Sequence, residues 1–349
     1  MPGACWSCRC FVAPVPGFLH GPTRAYCGSQ CRIRFCDGSR RAGDATGGAN
    51  NVLGLTQDVR TMPLLTIKLL GTSAGELYPG LWCQCRNCTD ARAHGGPNLR
   101  ASTCAVVNNL CLIDFPPEIA TQARTHGVDL CSIEHILVTH SHGDHFFPYL
   151  LRWRARPPAF HSDPPPTASA PRFTPLPTLH LYGNRRVLEL ARAELWGDPR
   201  DSDLELHEAI ACQPFAAGDL EVHPVAANHD VGRENALHYV VRRGGRTMLY
   251  ALDGALFLPG TYEYLRQFRL DLVLIEATYG LFSGGANHMS FETVRLAANT
   301  LRADGLMAPG GRIVATHFSP HHCPPHERSR QILAQYGVET ACDGAAYEL

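Results

Sequence analysis

The chain has 349 residues, with 31 Lys and Arg against 32 Asp and Glu and a net charge of −1 when His is neutral. That length allows roughly two domains and a sizeable core, and the charge balance excludes a protein that coats nucleic acid or carries a long acidic tail. No apolar run approaches the roughly 18 residues of a membrane-spanning helix, so no membrane partner is expected.

The N-terminus, MPGACWSCRC, lacks the basic start and apolar core of a secretory leader, and a cytoplasmic protein is expected. Six of the 15 cysteines precede residue 37. Clustered cysteines in a reducing compartment read as zinc ligands rather than as a disulfide framework. Cys5-x2-Cys8 and Cys27-x3-Cys31 have zinc-finger-like spacing, and Cys10 and Cys36 are spare. The stretch RAYCGSQCRIRF resembles small bacterial treble-clef zinc knuckles, which implies one Zn2+ on Cys5, Cys8, Cys27 and Cys31. Arg24, Arg32, Arg34, Arg40 and Arg41 make this arm basic; a solvated face is the ordinary reading and nucleic-acid contact the alternative. Residues 37–61 are polar, Gly-rich and without period, as a linker is. Met62 opens a plausible catalytic domain, 62–349.

From Leu64 the texture changes. LLTIKLLG, NLCLIDF (109–115) and HILVT (135–139) are apolar runs of strand length. PPEIATQARTHG between the last two starts with prolines and ends in Gly, as a helix does. EVHPVAA, a hairpin formed by HYVVRR and RTMLYALD around Gly-Gly, DLVLIEAT and GRIVATHF follow as strands. Helices are expected at 185–196, 290–302 and 325–336. The order favours two mixed sheets with helices outside, an α/β (α+β) sandwich. The Pro-rich stretch 156–178 reads as a surface insertion.

The segment ILVTHSHGDHFF places His140, His142, Asp144 and His145 directly after an apolar strand. Imidazole and carboxylate are ligands for zinc, manganese and iron, and four in one loop can serve two metals. Gly143 permits a sharp turn, and Asp144 and His145 are expected to open a helix with Pro148 in its first turn. The motif THSHGDH resembles the signature of the metallo-β-lactamase superfamily, whose fold is an αββα sandwich. The resemblance covers residues 64–349. It implies that His140, His142 and His229 hold one metal, that Asp144, His145 and His317 hold the other, and that Asp253 bridges them. It also implies an orienting role for Asp114. Two Zn2+ (or Mn2+) about 3.5–4 Å apart can share a hydroxide that attacks a phosphoryl group. The superfamily's antibiotic-degrading branch commonly carries Cys at the bridging place, where this chain has Asp253.

LWCQCRNC carries Cys83, Cys85 and Cys88, too close together to be incidental core thiols, and a zinc site needs a fourth ligand. The stretch resembles the branch containing the accessory phosphodiesterase of the carbon–phosphorus lyase pathway, and also the pyrroloquinoline quinone biosynthesis protein. By that resemblance a structural Zn2+ takes a His from THFSPHHCPPH. His321 is favoured, with His322 and Cys323 as alternatives. The same branch implies that His288, just before a helix, donates a proton to the leaving group; Glu276 ends a strand facing the same region and takes no assigned step. A dinuclear metallohydrolase acting on a small phosphodiester, a cyclic nucleotide or a sugar phosphate, is the expected function, with homodimerisation an open expectation. The alternatives are an RNA-processing endonuclease of the same fold, which needs a basic surface for RNA, and a zinc-stabilised accessory protein in cofactor biosynthesis.

Overall fold

The computed structural model describes residues 65–154, 176–283 and 285–349. The N-terminal cysteines, the proposed linker and most of the Pro-rich stretch lie outside the described residues. In chain order the elements are β1 (Thr66–Gly71), α1 (Arg86–His94), β2 (Cys104–Val107), β3 (Cys111–Ile113), α2 (Ile119–His126), β4 (His135–Leu137), β5 (Leu179–Gly183), α3 (Arg185–Glu194) and β6 (Leu204–Glu208). There follow β7 (Phe215–Ala217), β8 (Leu220–Ala226), β9 (Leu237–Arg243), β10 (Arg246–Ala251), α4 (Pro259–Leu265), β11 (Leu270–Glu276), α5 (Phe291–Ala303), β12 (Met307–Thr316), α6 (His326–Ala334), β13 (Glu339–Thr340) and β14 (Ala346–Glu348). The strands form two seven-stranded sheets, ordered β14-β1-β2-β3-β4-β5-β6 and β13-β12-β11-β10-β9-β8-β7.

Alternation along each strand builds four layers. Ile67, Leu69, Val107, Ile113 and Leu137 of the first sheet meet Val222, Tyr239, Val241, Tyr250, Leu272 and Val314 of the second. The intervening residues face outward. Val106, Leu112, Ile136 and Val138 pack on Ile119 of α2 and Val187, Leu188 and Ala191 of α3. On the other side Val240, Leu249, Val273 and Ile313 pack on Phe291, Val294, Ala298 and Leu301 of α5. Both faces of each central strand are thus covered, which is why the strands read as unbroken apolar runs. The architecture is the expected αββα sandwich.

Topology places the site. β10, β11 and β12 are parallel, with Ala251 opposite Ile275 and Ile275 opposite Ala315. The residues that follow each strand therefore emerge together on one edge: Asp253, Thr278 and His317. β3 and β4 are also parallel, so Asp114 and His140 leave the first sheet as neighbours. The β9–β10 hairpin turns at Gly244 and Gly245, both with positive φ, at the far edge of the sheet. In such sheets the carboxyl ends of the strands form the ligand crevice.

Candidate metal centre and its cleft

Asp144 and His145 do not open a helix. The residues after His140 form a turn, closed by the His145 and Phe146 amides donating to His142 O at 3.0 and 2.8 Å, and the helical stretch begins only at Pro148 as a 3₁₀ turn. The cause is tertiary: His145 O accepts from Phe115 N and Phe115 O from Phe147 N, so this backbone is paired with the chain leaving β3 and cannot coil.

That turn converges with three distant segments. His140 Nε2 lies 3.0 Å from His142 Nδ1, and His229 Nε2 lies 3.3 Å from the same atom. His140 Nε2 is 3.2 Å from Asp253 Oδ2. On the other side His145 Nε2 lies 3.1 Å from His317 Nε2, 3.3 Å from Asp144 Oδ2 and 3.0 Å from Asp253 Oδ2, and His317 Nε2 is 3.2 Å from Asp253 Oδ1. Two groups result, His140–His142–His229–Asp253 and Asp144–His145–His317–Asp253, sharing Asp253.

The donor set fits a pair of divalent cations. Nitrogen and oxygen ligands about 2.0–2.1 Å from a tetrahedral ion stand roughly 3.3–3.4 Å apart, close to the separations observed. Charge points the same way. Asp114, Asp144 and Asp253 crowd around His145 and, against the penalty of burial, hold its imidazole well above the usual range. Buried carboxylates at this density require a compensating cation, and a metal supplies it without protonating the ring.

Further contacts aim the ligand rings. Asp114, fully buried, meets His145 Nδ1 at 2.8 Å and accepts from Thr139 N and Oγ1 at 2.9 and 2.8 Å. Thr139 Oγ1 lies 3.0 Å from His140 Nδ1, and Thr278 Oγ1 lies 2.8 Å from His317 Nδ1. Each contact turns Nε2 toward the site. Glu234 accepts from Ser141 N and Oγ and from Asn184 Nδ2, fastening the metal loop to the neighbouring layer. Asp114, Asp253 and His317 all adopt positive φ (67°, 55° and 59°), a conformation that costs non-glycine residues energy and clusters at functional sites. Thr278 and Glu234 carry no sequence signal, because their roles depend on residues 39 and 93 positions away. Replacing Asp114 by Asn is expected to weaken metal affinity about 10–100-fold, measurable by competition with a chromophoric chelator.

His288 sits at the same edge. Its Nδ1 meets Glu276 Oε1 at 2.9 Å and Asp253 Oδ1 at 3.4 Å, and its ring lies among His229, His317 and Tyr279. Burial disfavours its charged form, but the hydrogen bond and charge of Glu276, with Asp253, outweigh that and lift its pKa to about 9. Glu276 is fully buried and also accepts from Gly254 N and Thr278 N, so it fixes His288 to the bridging loop.

Cys83, Cys85 and Cys88 bring their sulfurs within 4.8 Å of one another. Each accepts a backbone amide: Cys83 from Cys85 N, Cys85 from Cys88 N and Cys88 from Gly80 N. Burial pushes the Cys88 thiol up to about 12, whereas the Cys85 amide draws the half-buried Cys83 down. Three thiolates side by side need a cation to be charged together. Of the fourth-ligand alternatives, Cys323 donates to Ala277 O at 3.2 Å and His322 stacks on Phe282 with centroids 5.0 Å apart. His321, whose Nε2 is 3.9 Å from Glu76 Oε1, lines the same cleft as Cys83, but among the described residues no fourth donor joins the three sulfurs at that spacing. Asn87, which sequence reading passed over, already ties α1 to the loop after His317 by donating to Pro320 O and Cys323 O.

That cleft, of about 760 Å³, runs from Asp144 and Gly143 to Trp82, Cys83 and His321. Its charged walls are Glu76, Glu118 and Asp144, and among the described residues no Lys or Arg lines it.

No helix among the described residues is long and apolar enough to cross a membrane. A search of curated proteins found no match. Among solved structures the chain is similar to a diphosphatase from the PhnP family, with 22% identity and a TM-score of 0.59 over 82% of this chain and 97% of that one. It is similar to zinc-bound PqqB from Methylobacterium extorquens, with 18% identity and a TM-score of 0.61 over 81% and 100%. The short form of human tRNase Z follows the same fold, with 18% identity and a TM-score of 0.52 over 81% and 98%. The family described as a beta-lactamase superfamily domain matches residues 109–318, three-fifths of the chain and the whole span from β3 to His317. The chain belongs to the beta-lactamase superfamily and has the metallo-β-lactamase fold.

Proposed function

We propose that the protein is a dinuclear metallohydrolase of small phosphodiesters, with cyclic nucleotides or sugar phosphates as the substrate class. The observation that carries this reading is the shared carboxylate: Asp253 joins two complete ligand groups, and His288 stands 3.4 Å from it on the buried Glu276. Two Zn2+ or Mn2+ bound here would polarise a phosphoryl oxygen and lower the pKa of a water. The protein's own part is positional. Asp114, Thr139 and Thr278 hold the ligand rings, Glu276 holds Nδ1 of His288, and the ring's Nε2 carries the proton given to the leaving oxygen.

The cleft's lining supports a small substrate over an RNA strand. A polyanion gains affinity by phosphate contacts with Lys and Arg, and these walls present carboxylates. The similar PhnP-family protein is described as a diphosphatase, so its reaction too is at phosphorus. The test is turnover by the full chain reconstituted with Zn2+ or Mn2+, on cyclic nucleotides, cyclic sugar phosphates, a thioester and a folded transfer RNA precursor. Hydrolysis confined to the small phosphodiesters is expected. Preferential cleavage of the RNA, or of the thioester, would overturn the assignment.

Cys83, Cys85 and Cys88, with His321, are assigned a structural Zn2+, and Cys5, Cys8, Cys27 and Cys31 one more. A cation at the former would clamp α1 to the loop that carries His317. Cys85→Ala is expected to remove about one equivalent of zinc and to lower the melting temperature by several degrees, since structural zinc contributes folding energy directly. Unchanged melting and zinc content would make these thiols ordinary packing residues.

A further inference from the structure

A second set of metal-type ligands lies at the opposite end of the first sheet. On β5 and the edge strand β6, His180 pairs in register with Glu205, and Tyr182 with His207, so these side chains project from one face. His180 Nδ1 stands 3.1 Å from His207 Nε2 and 3.3 Å from Glu205 Oε2, which is 3.6 Å from His207 Nε2. A tetrahedral ion with ligands at about 2.0–2.1 Å requires edges of roughly 3.3–3.4 Å, and this triangle brackets that length.

The triangle is held from outside. His135 of β4, in register with His180, stacks on its ring with centroids 5.3 Å apart and 20° between planes. Tyr182 stacks on His207 at 4.7 Å and 20°, and Phe215 on Tyr182 at 4.4 Å and 8°. Both imidazoles are thus fixed before any ligand arrives, which reduces the ordering cost of binding. Among the described residues, the ion-pair contacts of Glu205 are these two imidazoles alone. Burial and the neighbouring His180 lower the pKa of His207.

We infer that His180, Glu205 and His207 form a further divalent-metal site, selective for zinc-type cations, that fastens edge strand β6 to β5. Two imidazoles and one carboxylate suit zinc and leave a fourth position for water. The site is separate from the catalytic pair: His135 lies five residues before His140 along β4 and its continuation, roughly 16 Å at the rise of a strand. Edge strands otherwise present unpaired backbone, and a metal bridge to the inner neighbour restrains such an edge.

The test uses the full chain in buffer with micromolar free zinc. Wild type is expected to hold one more zinc than the His180→Gln/His207→Gln variant by elemental analysis, with both retaining the same turnover of a small phosphodiester. A second measurement needs no variant. Zinc added to wild type is expected to suppress diethylpyrocarbonate modification of His180 and His207 several-fold, read peptide by peptide. Equal zinc content in the two proteins would overturn the assignment, as would labelling of these two histidines that ignores zinc. The latter outcome would leave the cluster an imidazole–imidazole hydrogen bond.

Discussion

Replacing His142 and Asp144 together by alanine is expected to reduce hydrolysis to the uncatalysed background and to remove about two cations per chain. The two residues serve different halves of the site. His142 Nδ1 stands with His140 and His229, whereas Asp144 Oδ2 stands with His145. Each half keeps only Asp253 and two imidazoles, and affinity falls for both ions at once. The choice of positions matters for interpretation. The side chains of His142 and Asp144 are 44% and 21% exposed, whereas His140 and His145 are buried. Truncating the former pair leaves the core layers intact, so circular dichroism should be unchanged while elemental analysis and turnover both fall. Full turnover with unchanged metal content would refute the two-ion assignment.

His288→Ala is expected to separate substrates by their leaving groups. A positioned general acid contributes about 10²–10⁴-fold, and that contribution is needed most when the departing alkoxide is a poor leaving group. Turnover of an alkyl or sugar phosphodiester should therefore fall by about that factor. A p-nitrophenyl ester, whose phenolate departs unaided, should be affected far less. Bound metal should stay constant, because His288 contacts Glu276 and the bridging Asp253 rather than completing either ligand group. Glu276→Gln should reproduce part of the effect. It removes the buried charge that fixes Nδ1 and lifts the imidazole, while leaving the ring in place. Equal losses on both esters would assign His288 to phosphate binding, and loss of metal would make it a ligand.

Most strands and helices from Thr66 onward were legible because this fold writes its layers locally. Runs such as LVLIE and RIVAT are covered on both faces and read as continuous apolar segments, and α2, α3, α5 and α6 carry apolar faces between clear start and stop signals. The shorter pieces, such as β6, β7, β13 and α4, did not stand out, because strands of two to five residues and a seven-residue helix hold too few positions to establish a period. The ligand types were legible for the same local reason: His140, His142, Asp144 and His145 fall within one loop, and His229, Asp253 and His317 each close a strand. Their grouping around a shared Asp253 was available only through resemblance, since no spacing in the chain encodes distance between β10 and β12.

The tertiary structure alone decided the rest. Pairing with Phe115 keeps Asp144 and His145 in a turn where their local sequence suits a helix. Glu276 was visible as an acid ending a strand, yet its hold on His288 depends on a hydrogen bond across the loop at the strand's end. Glu234 and Thr278 became positioning residues by contact with Ser141 and His317, far away in sequence. The His180–Glu205–His207 triangle exists because β5 pairs with β6 in one register; a shift by a single residue would turn Glu205 and His207 to the opposite face. Sequence thus determined which residues could ligate and which segments could form layers, by composition and period. Strand order and register determined which of them meet, because parallel strands bring residues scores of positions apart to one edge.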